Sequence, residues 1–262
     1  MTNVAGFQLE LTDLRKEFEG LMAVFDVSFS VADGEIVSVI GPNGAGKTTI
    51  FNLITGILKP TGGAVRYAGQ LLTGLRPHAI CAMGLARTFQ NVRLFGNMSV
   101  VENVMVGRHT KAGYDLVSTA FRLPRARHQE RMIREQAMQQ LARVGLADRA
   151  QANALSLPFG QQRLLEIARA LATEPRLLLL DEAGSGLNHP EKEGLNKLIR
   201  AIRKDGVTVV LVEHDIPFVM GLSDRIIVLE HGVKIAEGTP AEIQSDKRVI
   251  AAYLGEDMVN VC

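Results

Sequence analysis

The sequence contains no tryptophan, only two cysteines, and so few aromatic residues that they make up 5% of its 262 positions. Cys81 and Cys262 lie far apart, and neither belongs to a CxxC pair or to a Cys/His spacing typical of a zinc site. The pattern therefore gives no sign of a disulfide framework or of a structural zinc ion. A reduced, cytosolic compartment is expected.

An excess of one charge and long apolar runs are also missing. The 29 Lys and Arg residues nearly balance the 28 Asp and Glu residues, and the net charge is +1. No overall field therefore favours nucleic acid or acidic lipid. No apolar stretch approaches the ~18 residues that span a bilayer, and the first residues lack the pattern of a secretory signal. We expect a soluble protein that binds no nucleic acid.

The apolar residues, 47% of the chain, follow an α/β pattern. "FQLEL", "VFDVSFSV" and "EIVSVI" predict strands before residue 41, and a helical pattern follows over 45–58. "RLLLLDE" (176–182) and "TVVLVEHD" (208–215) predict strands buried on both faces, joined by the amphipathic crossover helix "EKEGLNKLIRAIRKDG". "DRIIVLEHGVKIAEG" predicts a hairpin turning at His231-Gly232, and the pattern from about 99 to 172 is mostly helical. The prediction is one α/β domain with a helical insertion.

A phosphate-binding loop is predicted between the third strand and the following helix. "GPNGAGKTT" (41–49) fits the pattern G-x-x-x-x-G-K-[ST] in the strand-to-helix context that its mechanism needs, which disfavours an ordinary glycine-rich turn. Glycine N–H groups face the β-phosphate, Lys47 adds positive charge at the β- and γ-oxygens, Thr48 ligates Mg²⁺, and Thr49 reaches the α-phosphate. No N-K-x-D guanine motif occurs, which disfavours a GTPase. The predicted nucleotide-binding residues of this loop are Gly41, Pro42, Asn43, Gly44, Ala45, Gly46, Lys47, Thr48 and Thr49.

Polar residues at later strand ends predict the second half of the site. In "LLLLDEA", Asp181 suits the outer shell of Mg²⁺, whereas Glu182 faces the other way and can polarise an attacking water. His214 closes the strand "VVLVEH" and can donate to a γ-phosphate. Gln90, in "ARTFQN", can ligate Mg²⁺ or hold water, although glutamine alone is a weak signal. The alternatives are a solvent-facing Asp-Glu turn and a structural histidine.

These residues follow one another in an order that resembles the ATP-binding-cassette (ABC) ATPases over nearly the whole chain: Phe18, the phosphate loop, Gln90, "LPFGQ", "LLLLDE", "GLN" and His214. More narrowly, the chain is similar to the ATP-binding subunits of branched-chain (hydrophobic) amino-acid uptake systems that pair with a second ATPase. Segments that carry this likeness include "GLARTFQNVRLFGNMSVVENVMVGRH", "VEHDIPFVMGLSDRIIVLEHG" and "AEGTPAEIQSDKRVIAAYLGE".

The resemblance implies a P-loop NTPase fold with a RecA-like core, an antiparallel β subdomain and an α-helical subdomain. It places the core and β subdomain at about 1–90 and 173–262, and the helical subdomain at about 91–172. Phe18 would stack on adenine, Glu182 would be the general base, His214 would sense the γ-phosphate, and Gln90 would link to the membrane subunits. The loop after Gln90 and the helical block would hold a groove for a permease.

The resemblance also implies partners and a location. Two cassettes would face head to tail on the cytoplasmic side of the membrane, with ATP and Mg²⁺ between them. The second ATPase would be a different subunit more readily than a second copy. Membrane permeases would be direct partners, and a periplasmic or extracellular binding protein an indirect one.

The stretch "LSLPFGQQRLLEIARAL" (155–171) has two dipeptides that could contact the partner's ATP. In the family the first leucine of the signature stands 24 residues before the strand aspartate, which is the spacing between Leu157 and Asp181. The resemblance therefore assigns this contact to Pro158, Phe159, Gly160 and Gln161. Proline offers neither the usual serine hydroxyl nor an N–H, so we expect a weakened half-site.

Two further departures from the family concern the loop after Glu182. Ala183 stands where the family usually has proline, and Asn188 stands where it usually has aspartate. Proline mainly restricts the unfolded chain, and Asn188 keeps the hydrogen-bonding shape of aspartate. We therefore expect function to be retained.

Two rival functions remain open from the sequence. One is the ATPase of another transporter, such as lipopolysaccharide export, whose ATPase has a similar "YLGED" near its end. The other is a soluble cassette protein acting on ribosomes or DNA, which the single cassette and balanced charge disfavour. The basic connection at 110–128 is either a solvated loop or a contact with permease or lipid headgroups.

Overall fold

The computed structural model describes residues 7–108 and 124–259, so the connection predicted at 110–128 lies mostly outside the described residues. Ten strands are described: β1 (Phe7–Phe18), β2 (Leu21–Ala32), β3 (Ile36–Ile40), β4 (Gly62–Tyr67), β5 (Gln70–Leu71), β6 (Leu85–Arg87), β7 (Leu177–Asp181), β8 (Thr208–Val212), β9 (Arg225–Glu230) and β10 (Val233–Gly238). The described helices are α1 (Lys47–Ile54), α2 (Pro77–Ala82), α3 (Val100–Arg108), α4 (Pro124–Arg143), α5 (Phe159–Leu171), α6 (His189–Lys204), α7 (Ile216–Leu222), α8 (Pro240–Ser245) and α9 (Lys247–Val259).

The strands form two sheets. β2, β1, β4 and β5 make a four-stranded antiparallel sheet in that order. The second sheet has the order β10-β9-β3-β8-β7-β6, in which all neighbours pair in parallel except β10 and β9. None of the described helices combines the length and the apolar character needed to cross a bilayer.

The central strands of the second sheet are buried on both faces, as the apolar runs predict. Leu178 and Leu180 of β7 pack among residues of α3, α5 and α6, whereas Leu177 and Leu179 pack among residues of β1, β2 and α1. Alternate residues of one strand thus enter two separate cores because side chains alternate across a strand. The prediction of fully buried strands is confirmed for β7 and β8.

Helices α3, α4 and α5 lie between β6 and β7 in the chain and pack on one another. Their mutual core includes Val101, Val104, Leu141 and Leu165. The division at about residues 90 and 172 stays a prediction.

Two elements differ in length from the sequence prediction. β1 continues seven residues beyond "FQLEL" to Phe18, through a bulged region in which Asp13 has φ +46° and the pairing register with β2 shifts. The bulges break the period of two by which a strand is predicted. α1 ends at Ile54, earlier than the helical pattern over 45–58, since Gly56 turns the chain with φ +72°. The hairpin turn at His231-Gly232 is confirmed between β9 and β10.

The strand order brings four chain segments to one edge of the second sheet. Neighbouring parallel strands β3, β8, β7 and β6 end respectively before the phosphate loop, Glu213-His214, Glu182 and Thr88–Gln90. Ligands of open α/β sheets bind at the carboxyl ends of the strands. The predicted site residues from four distant parts of the sequence are therefore placed on one edge.

Candidate nucleotide site

The phosphate loop runs from the end of β3 to the first residue of α1. A Cβ on Gly41 would lie 2.1 Å from the carbonyl oxygen of Leu229, and one on Gly46 would lie 2.6 Å from that of Ala23. Both glycines also have positive φ, so no other residue fits this path. Gly46 caps α1 without a side-chain hydrogen bond, which leaves the first N–H groups of that helix for a ligand.

Lys47 lies folded over this loop. Its Nζ donates to the carbonyl oxygens of Gly41 at 2.5 Å and Pro42 at 2.8 Å, and the residue is 7% exposed. The loop arrangement thus fixes a buried positive charge where the motif places the β- and γ-phosphates.

A cavity of about 290 Å³ lies against the loop, and its walls include three side chains that the sequence predicts to act on ATP or Mg²⁺. Thr48, Gln90 and Glu182 line it, together with Ala23 of β2. Gln90 Nε2 donates to Glu182 Oε2 over 3.0 Å, although the two residues are 92 positions apart. Glu182 has φ +50°, an unusual conformation for a residue with a Cβ, where the chain leaves β7. The structure therefore joins the phosphate loop, the amide and the predicted base in one site.

Asp181 ends β7 in a buried position and is 1% exposed. Its Oδ2 accepts from Arg87 Nη2 over 2.7 Å, and its backbone N–H donates to Thr88 Oγ1 over 3.2 Å. Burial raises the pKa of Asp181 above its ordinary value, although the Arg87 guanidinium opposes this. Oδ1 is buried without a hydrogen-bond partner in the described structure.

The donors around Asp181 fit a magnesium ion. Mg²⁺ prefers hard oxygen ligands and keeps several waters. Asp181 offers the orphaned Oδ1, and the cavity lined by the next residue, Glu182, also contains the Thr48 hydroxyl and the Gln90 amide. The described residues contain no group of three or more His, Cys, Asp or Glu side chains suited to a metal. A magnesium site made of one carboxylate, a hydroxyl, an amide and phosphate oxygens agrees with the unpartnered Asp181 Oδ1 and needs no such cluster.

β8 ends next to this site with a buried acid and an exposed histidine. His214 is exposed, and Val212 O accepts from the N–H of Glu182 over 2.9 Å, which holds the two strand ends together. Glu213 is 1% exposed, and its Oε1 accepts from the N–H of Gly184 over 2.7 Å. Burial raises the pKa of Glu213 to about 7. Sequence reasoning missed Glu213, although an acid ending a wholly apolar strand is a readable signal.

Phe18 lies at the hairpin that joins β1 to β2. It is 40% exposed, and the Lys16 ammonium is 4.8 Å from the centre of its ring. From the same hairpin, β2 contributes Ala23 to the wall of the cavity. The stacking of adenine on Phe18 stays a prediction.

The segment that is expected to contact the partner's ATP lies at the start of α5. Pro158 is the N-cap residue of α5 and gives it no side-chain hydrogen bond. The upstream Ser156 lies in a short turn, where its Oγ donates to the carbonyl oxygen of Asn153 over 2.7 Å. The helix N-terminus is therefore formed by Pro158 through Gln161, and Leu155-Ser156 lies outside it.

This segment packs closely on the loop that follows Glu182. A Cβ on Gly186 would be 2.9 Å from the Phe159 ring, and one on Gly160 would be 2.5 Å from Glu191 Oε1. Asn188 caps α6 by accepting from the N–H of Glu191 at 3.0 Å, and its own N–H donates to Glu191 Oε2 at 2.9 Å. Asn188 thus fills a capping role that aspartate also fills.

A larger apolar cavity, called here the apolar groove, lies on the other side of β6. Its volume is about 390 Å³, and its wall includes Ile57, Ile80, Phe89, Arg93, Phe95 and Arg169. Phe95 and Ile57 are 46% and 48% exposed. Arg93 lies over the ring of Phe89 at 5.6 Å, and Arg169 over the ring of Phe95 at 5.7 Å. The groove is therefore apolar with a cationic rim.

Comparison with known families decides what this arrangement is. The family model described as "ABC transporter" matches residues 24–185, and the model described as "Branched-chain amino acid ATP-binding cassette transporter" matches residues 233–259. The chain belongs to the ABC transporter ATP-binding family. The second match covers β10, α8 and α9, which pack on β9 and α7.

Curated relatives of this cassette cover nearly all of it. The branched-chain amino acid transport ATP-binding protein BraF of Pseudomonas aeruginosa is 46% identical over 95% of this chain and 98% of its own length. The corresponding LivG of Escherichia coli is 45% identical with the same coverage. The lipopolysaccharide export ATP-binding protein LptB of Acidithiobacillus ferridurans is 34% identical over 95% of this chain and 97% of its own.

Solved ABC cassettes share the fold. A nucleotide-free cassette from an ABC transporter superposes with a TM-score of 0.83 at 30% identity, covering 94% of this chain and 98% of that one. A cassette in its ADP conformation gives the same score and identity, covering 95% and 99%. The expected family and fold are thus confirmed, while the roles of individual residues in this cassette stay predictions.

Proposed function

We propose that this cassette binds and hydrolyses ATP to drive import of branched-chain or related hydrophobic amino acids through membrane permeases. The observation that carries the hydrolytic part is the cavity in which the phosphate loop meets Gln90 and Glu182. The transport class is supported by the relatives at 45–46% identity and by the match at residues 233–259.

The residues around the cavity suit the hydrolysis of ATP by an attacking water. Lys47 and the N-terminus of α1 place positive charge at the β- and γ-phosphates. Glu182 orients a water and takes its proton, with the Gln90 amide holding the Glu182 carboxylate in place until the site fills. His214, on the neighbouring strand end, donates to the γ-phosphate. Gly41 through Thr49 cradle the phosphates, and Phe18 stacks on adenine.

Thr48, Gln90 and Asp181 would hold Mg²⁺ with the phosphate oxygens. When bound, Mg²⁺ supplies neutralisation of the charge that develops on the β- and γ-phosphate oxygens. The protein's own contribution is to keep one oxygen of Asp181 available in a buried position.

A second ATPase subunit completes the site. Pro158, Phe159, Gly160 and Gln161 of this cassette face the ATP of that subunit, which is a different chain in the favoured arrangement and a second copy in the alternative. A similar ABC cassette, 27% identical with a TM-score of 0.77, is described as dimeric in its solved structure, which supports pairing.

The apolar groove is the proposed docking site for a permease. The half-buried ring of Phe89 and the exposed ring of Phe95 fit an apolar helix, and the guanidiniums of Arg93 and Arg169 fit an acidic side chain on that helix. The cassette then lies on the cytoplasmic face of the membrane without crossing it. A binding protein on the outer side acts through the permeases.

Glu182→Gln tests the hydrolytic assignment. The amide cannot take a proton from water, so we expect hydrolysis to fall at least 10²-fold while ATP binding remains. The exposed Glu193→Gln, which removes an acid of α6 outside the cavity, should retain wild-type turnover. Wild-type turnover in Glu182→Gln would remove Glu182 as the base.

Uptake measurements test the transport class. Deleting the gene should abolish uptake of radiolabelled leucine or a related hydrophobic amino acid, and permeases for these should co-purify with the cassette. Intact uptake together with a defect in lipopolysaccharide export would support the alternative instead, and co-purification with ribosomes would support a non-transport role.

A further inference from the structure

The guanidinium of Arg87 lies between the candidate nucleotide site and the apolar groove. The side chain is 5% exposed, and Nη2 donates to Asp181 Oδ2 over 2.7 Å. Nη1 donates to Asn52 Oδ1 at 2.8 Å and to Thr55 Oγ1 at 3.2 Å, both on or next to α1. Arg87 and Thr55 also line the apolar groove. One side chain therefore touches Asp181, the helix after the phosphate loop and the groove.

Two aromatic rings lie against this guanidinium. The ring of Phe51 lies 5.5 Å from it and the ring of Phe89 lies 5.1 Å from it. Phe51 is fully buried on α1, whereas Phe89 forms part of the groove wall. The planar guanidinium is held in one orientation by contact with the two rings and by hydrogen bonds to three acceptors. A lysine ammonium cannot reproduce this geometry.

This arrangement gives the two carboxylate oxygens of Asp181 different surroundings. Arg87 occupies Oδ2, while Oδ1 is buried with no hydrogen-bond partner in the described structure. A carboxylate held by one oxygen cannot rotate freely, so its second oxygen is presented in one direction. A buried carboxylate oxygen without a protein partner is the kind of hard ligand that a hydrated magnesium ion takes.

We propose that Arg87 is a positioning residue that fixes Asp181 for the metal and couples this carboxylate to the occupancy of the apolar groove. The inference rests on the proposed function, because it assigns Asp181 to the magnesium that accompanies ATP. A helix seated against Phe89 presses on the ring that covers Arg87, and Arg87 passes the displacement to Asp181.

Metal binding tests the first half of the proposal. Mn²⁺ replaces Mg²⁺ and is titrated by electron paramagnetic resonance into the full chain with ATP at 4 °C. R87M should bind Mn²⁺ at least tenfold more weakly than wild type, and R87K should fall between them. The matched control is R225M, which breaks another partly buried arginine network, with Glu35 and Glu237, at a distance from the site. It should lose thermal stability but keep the wild-type Mn²⁺ affinity.

Mn²⁺ affinity within twofold of wild type, or tighter, in R87M would overturn the positioning role. If R87M does not fold, R87K decides by the same criterion. If the wild-type chain itself shows no ATP-dependent Mn²⁺ binding, the proposed function fails rather than this inference.

A double-variant cycle tests the coupling to the groove. F89A removes the groove-side ring over Arg87 and should weaken Mn²⁺ binding severalfold in the wild-type background. The same change should have no further effect in the R87M or R87K background, because the path through the guanidinium is already broken. Equal effects of F89A in all backgrounds would refute the coupling.

Discussion

Replacing Pro158 with serine tests whether this cassette presents a weakened contact to the nucleotide of its partner. Pro158 caps α5 with φ −54° and ψ 152°, and no side-chain oxygen accepts the first N–H groups of the helix. Serine is a preferred N-cap residue in the same extended conformation. Its hydroxyl can accept from the N–H of Gly160 or Gln161 and still donate its own hydrogen to a phosphate.

The expected effect on stability is small. The new cap contributes about 1 kcal/mol to the free energy of unfolding. Loss of the rigid proline ring costs about 0.4–1 kcal/mol through the greater freedom of the unfolded chain. The two nearly cancel, so unfolding in urea should change by less than about 1 kcal/mol.

The expected effect on nucleotide-driven dimerisation is much larger. A hydrogen bond to a charged phosphate contributes about 1.5–3 kcal/mol, which is roughly a tenfold to hundredfold change in dissociation constant for each site. The assay is sedimentation velocity with ATP and Mg²⁺, comparing P158S and P158A in the Glu182→Gln background, which retains ATP. P158S should dimerise at a concentration at least tenfold lower, whereas P158A, which has no hydroxyl, should not.

An unchanged dimer dissociation constant in P158S would refute the idea of a weakened half-site. That result would mean that the Gly160 and Gln161 N–H groups already supply the full contact. An equal gain in P158A would refute the role of the missing hydroxyl, since the benefit would then come from removing proline.

Two further predictions concern the surroundings of the candidate base. G186A should lower the free energy of unfolding by about 1–3 kcal/mol, because φ is +76° there and the Phe159 ring is 2.9 Å from the new Cβ. In urea denaturation, G186A combined with F159A should lose less than the sum of the single changes, and strict additivity would contradict the steric contact. Burial raises the pKa of Glu213 to about 7, so the folded protein holds a proton that the unfolded chain releases near 4.5, and stability falls as pH rises between these values. As pH rises from 5 to 8, the free energy of unfolding of E213Q should therefore increase relative to that of wild type by up to about 3 kcal/mol. The same difference between the two proteins in urea unfolding at pH 5 and at pH 8 would refute this.

The parts of the site that the sequence predicted share one property: each is local. The phosphate loop is a contiguous strand–loop–helix segment, and Gly41 and Gly46 are required there by backbone approach that only glycine allows. Asp181 and Glu182 follow a run of apolar residues that can only be a buried strand. A short chemical pattern at the end of a readable element is enough to place such groups.

The parts that escaped prediction depend on pairing across the sequence. Arg87 meets Asp181 across 94 positions, and nothing local separates this arginine from the other cationic residues of the chain. Its neighbours Asn52 and Phe51 belong to another element, α1. The second half of β1 also escaped prediction, because the bulge at Asp13 interrupts the period of two that identifies the first half as a strand.

Residues 87–90 connect the candidate nucleotide site, the apolar groove and α5. They continue β6, the edge strand of the described sheet, which pairs on one side only, with β7. Phe89 donates its N–H to Glu166 of α5 over 3.4 Å and accepts from Arg163 of α5 over 3.0 Å, which ties this segment to the helix that we propose faces a partner cassette.

The same four residues reach the nucleotide site and the groove. Arg87 and Thr88 bond to Asp181, Gln90 bonds to Glu182, and Phe89 lines the apolar groove. An edge strand with one neighbour moves at lower cost than a central strand bonded on both sides. Under the proposed function, a permease helix that displaces Phe89 therefore moves Asp181, Glu182 and the N-terminus of α5 together. The proposed coupling of transport to hydrolysis thus needs no long relay through the sheet.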